Sequence, residues 1–216
     1  MTLSNLQKRL LTTIAFFFII YLIVKSQYIL IFFLLVFSII SILEFFNIVK
    51  KISKNKFKIF IYNISFILFV SFFSYFFLLC FYVPQLKIII FTLLFGCIAS
   101  DIGGFIVGKT FNGPKLTSIS PKKTLSGAFG SILFTVITIN FIFFYLTKNF
   151  TVNIFAVSIL TSLGCQLGDL FFSLLKRKAK LKDTGNILPG HGGILDRLDG
   201  IFLGVPAGFI FFLLIY

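Results

Sequence analysis

The sequence predicts an all-α integral membrane protein, a polytopic helical bundle of about seven transmembrane helices with a polar active site on its cytoplasmic face. Three observations lead there. Apolar residues make up 58% of the 216, including 34 phenylalanines, and the mean hydropathy is +1.08. Charged residues are only 12%, against about 25% in soluble domains. Those few charges fall between long apolar runs, and lipid tolerates only backbone that satisfies its own hydrogen bonds, as a helix does. With no internal repeat and no long linker, residues 1–216 read as one membrane-embedded domain. Within it, 1–99 are N-terminal transmembrane helices and 100–216 are the half that carries the polar motifs.

The charge-poor runs are Leu10 to Val24, Ser26 to Val49 with Glu44 as its one charge, Ile59 to Val83, Ile88 to Ser100, Leu125 to Thr147, Asn149 to Leu175 with Asp169 as its one charge, and Ile201 to Tyr216. A spanning helix needs roughly 17 to 25 such residues, and most qualify. The first and last are short at 15 and 16, but the stems of Lys8, Arg9 and Lys25 extend the apolar length of the first. The fourth meets Asp101 and then Gly103-Gly104, which predicts a broken helix. No small-x-small cleavage site follows the first run, which reads as a span and not a removed leader.

Alternating these helices from a cytoplasmic N-terminus puts 17 of the 20 lysines and arginines on one side, leaving only Lys25, Lys87 and Lys148 on the other. That is the bias expected of a membrane protein. It accounts for the net charge of +14 without a nucleic-acid partner, for which no basic soluble module exists. Asp101, Asp183, Asp196 and Asp199 fall at the same face. Cys80, Cys97 and Cys165 lie in apolar runs without metal-ligand spacing and read as buried thiols.

Two segments concentrate polar chemistry. In the first, from Ser100 to Gly127, Ser120, Lys122, Lys123 and Thr124 immediately precede a helix. Unpaired amides at a helix start attract anions, so this is either a phosphate cradle or an ordinary basic loop. Asp101 is either a cation ligand or a cap. In the second, Asp169, Ser173, Lys176 and Arg177 share one helical face, as an ion pair or as part of a site. Lys182 and Asp183 follow, then His191 between glycines, which suits a ligand loop or a surface turn. Asp196 and Asp199, three apart, suit a divalent cation or a solvated helix start.

Taken together, Ser173, Lys176-Arg177, Lys182-Asp183, Pro189-Gly190-His191-Gly192-Gly193 and Asp196-Arg197-Leu198-Asp199 resemble the signature of the phosphatidate cytidylyltransferases, the CDP-diacylglycerol synthases. Gly168-Asp169, Ser120-Pro121-Lys122-Lys123-Thr124 and Ser100-Asp101 extend the resemblance, which covers the C-terminal half. It departs from the family pattern at Ser126, Gly104-Phe105 and Lys178. The resemblance implies transfer of CMP from CTP to phosphatidate in phospholipid biosynthesis, in a multi-pass protein of the inner cell membrane. It implies Mg2+ as cofactor, held by Asp169, Asp196 and Asp199, and it implies that Lys122, Lys123, Lys176, Arg177 and Lys182 neutralise phosphates. Asp101, Ser120, Thr124, Ser173, Asp183 and His191 are further substrate-site members. Expected partners are CTP, phosphatidate and the bilayer, with no nucleic acid; a homodimer is compatible. The competing readings are a CTP-dependent polyprenol or phytol kinase and, from a different class, a membrane transporter.

Overall fold

The computed structural model describes residues 18–117, 120, 123–185, 187 and 192–215. Lys8 and Arg9, which enter the charge count of the first loop, lie outside the described residues. Helical residues 18–25 lead to Ser26, after which come α1 (Gln27–Ile52), α2 (Lys56–Tyr82), α3 (Pro84–Phe111), α4 (Leu125–Thr147), α5 (Val152–Lys178), the single turn α6 (Leu195–Leu198) and α7 (Ile201–Ile215). Among the described residues six spans, the last running Leu195–Ile215, are long and apolar enough to cross a membrane. The protein is an all-α, multi-span membrane protein.

Local chemistry sets the helix ends. The Asn55 side chain accepts the amide of Phe57 at 2.9 Å, capping the start of α2. Pro84 opens α3 at the first helical position, where its missing amide costs nothing. Asn112 ends α3 in the left-handed region at φ 41°. Thr124 caps α4 by accepting the amide of Gly127 at 3.1 Å.

The chain gathers into two compact units. The first holds the described residues up to Tyr82 together with Leu175–Arg197. In it α1 and α2 pack through Phe45 stacked on Phe66, ring centroids 3.9 Å apart, and through Ser38 and Ser74 hydroxyls 2.9 Å apart. The second holds Val83–Leu174 and the chain from Leu198 onward. In it α3, α4, α5 and α7 meet along small residues.

The broken helix expected at Gly103-Gly104 is not found, because α3 continues unbroken to Phe111. The glycines serve contact with α4: a Cβ at Gly103 would lie 2.5 Å from the carbonyl of Gly130, and one at Gly104 would lie 2.5 Å from Ser131 Oγ. Ser131 Oγ in turn donates to the carbonyl of Ser100 at 2.8 Å. Without a hydrophobic drive between helices in lipid, such close backbone approach and interhelical hydrogen bonding hold spans together. Gly103→Val is expected to destabilise the protein by about 1–3 kcal/mol, the usual cost of overpacking a tight contact. Thermal unfolding in detergent checks it. The lipid-side variant Phe129→Ala, at a residue 72% exposed, should leave the midpoint near wild type.

Candidate active site

The polar residues sort into one cluster in each unit. In the second unit a cavity of about 550 Å3 is bordered by Asp101, Lys109, Ser120, Lys123, Thr124 and Asp169 among others. Its volume lies within the roughly 300–1,000 Å3 of small-ligand sites. The loop between α3 and α4 builds one wall. Lys115 and Thr124 form an antiparallel bridge, the Leu116 amide donates to the Lys123 carbonyl at 2.8 Å, and the Leu125 amide donates to that of Pro114 at 2.9 Å. The loop thus folds back on itself and delivers Lys123 to α5, where its ammonium pairs with Asp169.

Ser173, one turn further along α5, donates to Asp169 Oδ1 at 3.3 Å, as the shared helical face predicts. Gly168 beside Asp169 has no Cβ because the carbonyl of Asp199 occupies that space. Asp199 is buried, and its Oδ1 accepts the amide of Gly200 at 2.9 Å. Asp101, which also borders the cavity, lies 3.8 Å from the thiol of Cys165. Cys80, Cys97 and Cys165 are all buried and unpaired as disulfides.

The first unit holds the second cluster. Asp196 Oδ1 accepts Lys176 Nζ at 2.6 Å, with both side chains nearly buried at 7% and 12% exposure. Asp196 Oδ2 accepts the amides of Thr184 at 2.8 Å and Gly193 at 3.1 Å. Arg177, exposed on the last turn of α5, donates to the carbonyl of Leu181 at 3.3 Å. Lys182 and Asp183 are exposed. The helical face predicted to join Asp169 to Lys176 and Arg177 therefore serves separate partners: Lys176 pairs with Asp196, 20 residues ahead. Lys122 and His191 lie outside the described residues.

Two residues that sequence reasoning left without a role complete this cluster. Glu44, 4% exposed, sits in α1, and Thr184 Oγ1 donates to its Oε2 at 2.6 Å. The signal was available: Glu44 is the chain's only glutamate and the one charge in its apolar run, and intramembrane ionisable groups default to function.

The donor chemistry can be tested against a magnesium ion. Among the described residues no three His, Cys, Asp or Glu side chains gather into a ligand cluster. Magnesium is commonly held by one or two carboxylates completed by water and substrate phosphates, and Asp169 and Asp101 on the cavity are oxygen donors of that kind. Asp196 differs. Its two oxygens accept from Lys176 Nζ and from the Thr184 and Gly193 amides, while the Thr184 hydroxyl 3.0 Å away is shared with Glu44, so about one of a carboxylate's roughly four acceptor positions is left for a metal.

In this multi-span helical protein the cavity thus places a lysine–aspartate pair beside the capped start of α4. Residues 4–215 match the sequence profile of the cytidylyltransferase family, and the chain belongs to that family. It is 44% identical over 127 residues to the phosphatidate cytidylyltransferase of Rickettsia bellii, a stretch covering 54% of this chain and 55% of that protein. It is 42% identical over 113 residues to the phosphatidate cytidylyltransferase of Helicobacter pylori strain 26695, covering 52% and 42%. To phosphatidate cytidylyltransferase 5, chloroplastic, of Arabidopsis thaliana it is 44% identical over 119 residues, covering 52% and 29%. The chain thus spans about half the length, or less, of these relatives.

Proposed function

We propose that this protein transfers CMP from CTP to phosphatidate, releasing pyrophosphate and forming CDP-diacylglycerol at the cytoplasmic face of the inner cell membrane. The observation that carries the reading is the cavity in which the α3–α4 loop holds Lys123 against Asp169 beside the Thr124-capped start of α4. Membership of the cytidylyltransferase family supports it, as do relatives that bear the phosphatidate cytidylyltransferase name. Asp101 and Ser120 border the same cavity and are assigned to substrate binding with Lys123 and Thr124.

The chemistry asks little proton transfer of the protein. A phosphatidate phosphate oxygen is already an anion; it attacks the α-phosphorus of CTP, and the bond from that phosphorus to the bridging oxygen of the β-phosphate breaks. The barrier lies in bringing anions together, so positioning and charge neutralisation carry catalysis. Lys123 supplies a movable cation that can exchange Asp169 for a phosphate oxygen. Thr124 and Gly127 at the start of α4 border the cavity, and the positive end of the helix dipole there favours an anion. Lys176, Arg177 and Lys182 are assigned to the remaining phosphates by the signature. Ser173 orients Asp169 through its hydroxyl. Magnesium is the proposed cofactor, with Asp169, Asp199 and Asp196 as the assigned carboxylates; when bound it would neutralise triphosphate oxygens.

The test is positional labelling. Purified protein in phosphatidate-containing micelles, given CTP labelled at either the α or the γ phosphorus, should place label in lipid from the α position alone. Label in lipid only from the γ position would replace this reading with a CTP-dependent lipid kinase.

A further inference from the structure

Glu44 is a charge carried deep in the flank of a membrane helix, and its surroundings are specific. Its Oε1 accepts the amide of Ile194 at 3.1 Å, and its Oε2 accepts the amide of Leu195 at 2.9 Å and the hydroxyl of Thr184 at 2.6 Å. Thr184 and Leu195 are the groups that shape the surroundings of Asp196. The Thr184 amide donates to Asp196 Oδ2 at 2.8 Å, and Leu195 precedes Asp196 in the chain. Thr184 Oγ1 also lies 3.0 Å from Asp196 Oδ2, and with one proton it serves one carboxylate at a time. The two acids are thus bridged by a single hydroxyl.

The loop has been emptied to admit this carboxylate. A Cβ at Gly185 would lie 2.6 Å from Glu44 Oε1, and a Cβ at Gly193 would collide with both Thr184 Oγ1 and Glu44 Oε2. A buried charge persists only when paired or hydrogen-bonded, and here every donor comes from the signature segment 150 or so residues away in sequence. An apolar side chain at position 44 could fill the space but could not hold two amides and a hydroxyl in register.

We propose that Glu44 is a positioning residue of the reaction: it anchors Thr184 and the Ile194-Leu195 backbone, and through them it fixes the carboxylate of Asp196. The proposal rests on the cytidylyltransferase reading for its effect on turnover, and on geometry alone for its effect on the loop. Its hydrogen bonds to Thr184, Ile194 and Leu195 assign Glu44 an action through Asp196 and not on the reacting atoms.

The experiment compares full-length wild type, Glu44→Gln, Thr184→Val and the double variant. Ile48→Ala serves as control, because it lies one turn along α1, is fully buried and is apolar. Glutamine keeps the shape of Glu44 but turns a donor toward amides that are donors themselves. Hydrogen exchange followed by mass spectrometry should show amides of the 183–197 segment exchanging at least tenfold faster in Glu44→Gln, with α3 and α4 unchanged. Turnover should fall ten- to a hundredfold and half-saturating Mg2+ should rise severalfold. Thr184→Val should reproduce the effect, and the double variant should add little to either single change. Ile48→Ala should lower the thermal midpoint and leave half-saturating Mg2+ alone.

Unchanged exchange in the segment would overturn the proposal, as would faster exchange with wild-type turnover and Mg2+ dependence. If Glu44→Gln fails to fold, Thr184→Val decides by the same two readouts. A wild type that makes no CDP-diacylglycerol would sink the functional reading, while the exchange result would still decide whether Glu44 holds the Asp196 loop.

Discussion

Asp196→Asn is expected to lower CDP-diacylglycerol formation by about 10²–10³-fold, the range seen when one preorganised electrostatic group is lost from an active site. The same change should destabilise the fold by about 3–5 kcal/mol, because it breaks a buried ion pair. Geometry leaves asparagine no good orientation. Its NH2 must face either the Lys176 ammonium or the amides of Thr184 and Gly193, and all of these are donors. Lys176→Met should destabilise comparably by stranding the carboxylate. The double variant Lys176→Met/Asp196→Asn separates the two effects. With neither charge left, much of the lost stability should return, since apolar or neutral replacements of both partners are often tolerated. Activity should stay lost. Thermal unfolding and initial rates on the four proteins check this, and recovery of activity together with stability would reduce Asp196 to a purely structural acid.

Why the sequence disclosed the spans but not these pairings is a matter of range. Helix position follows from local hydropathy, and Leu125–Thr147 matches its charge-free run at both ends. α3 runs past the Ser100 end of its apolar run because Asp101 ends the charge-free stretch but not the helix, and a charge at the edge of a span can border a cavity without ending a helix. Gly103 and Gly104 suit either unusual backbone dihedrals or close backbone approach, and it is the close approach, to α4, that their missing side chains serve. That distinction depends on Gly130 and Ser131, which no local pattern links to them. Periodicity correctly set Ser173 one turn from Asp169, yet it could not assign Lys176 to Asp196. Glu44 was visible as an oddity, but its partners lie 140 to 151 residues away.

Lys123→Met is expected to give the opposite split between activity and stability. The Lys123–Asp169 pair borders the cavity with side chains 26% and 31% exposed, so it resembles a surface ion pair, whose contribution to folding is about 0–1 kcal/mol. The midpoint should move little. If the ammonium leaves Asp169 to meet a triphosphate oxygen, its removal takes a charge-assisted hydrogen bond worth about 1.5–3 kcal/mol from substrate binding. That energy corresponds to roughly a ten- to more than a hundredfold loss in kcat/KM for CTP. Lys123→Arg keeps the charge but spreads it over a planar fork, and it should recover only part of the loss. Asp169→Asn frees Lys123 from its partner and should therefore fail for a different reason, with CTP still captured but turned over slowly. Initial rates over a range of CTP concentrations, beside CTP binding measured without phosphatidate, distinguish the two. If Lys123→Met bound and used CTP as wild type does, the cavity between α3, α4 and α5 would not be where the triphosphate sits, and the loop that delivers Lys123 to Asp169 would be structural alone.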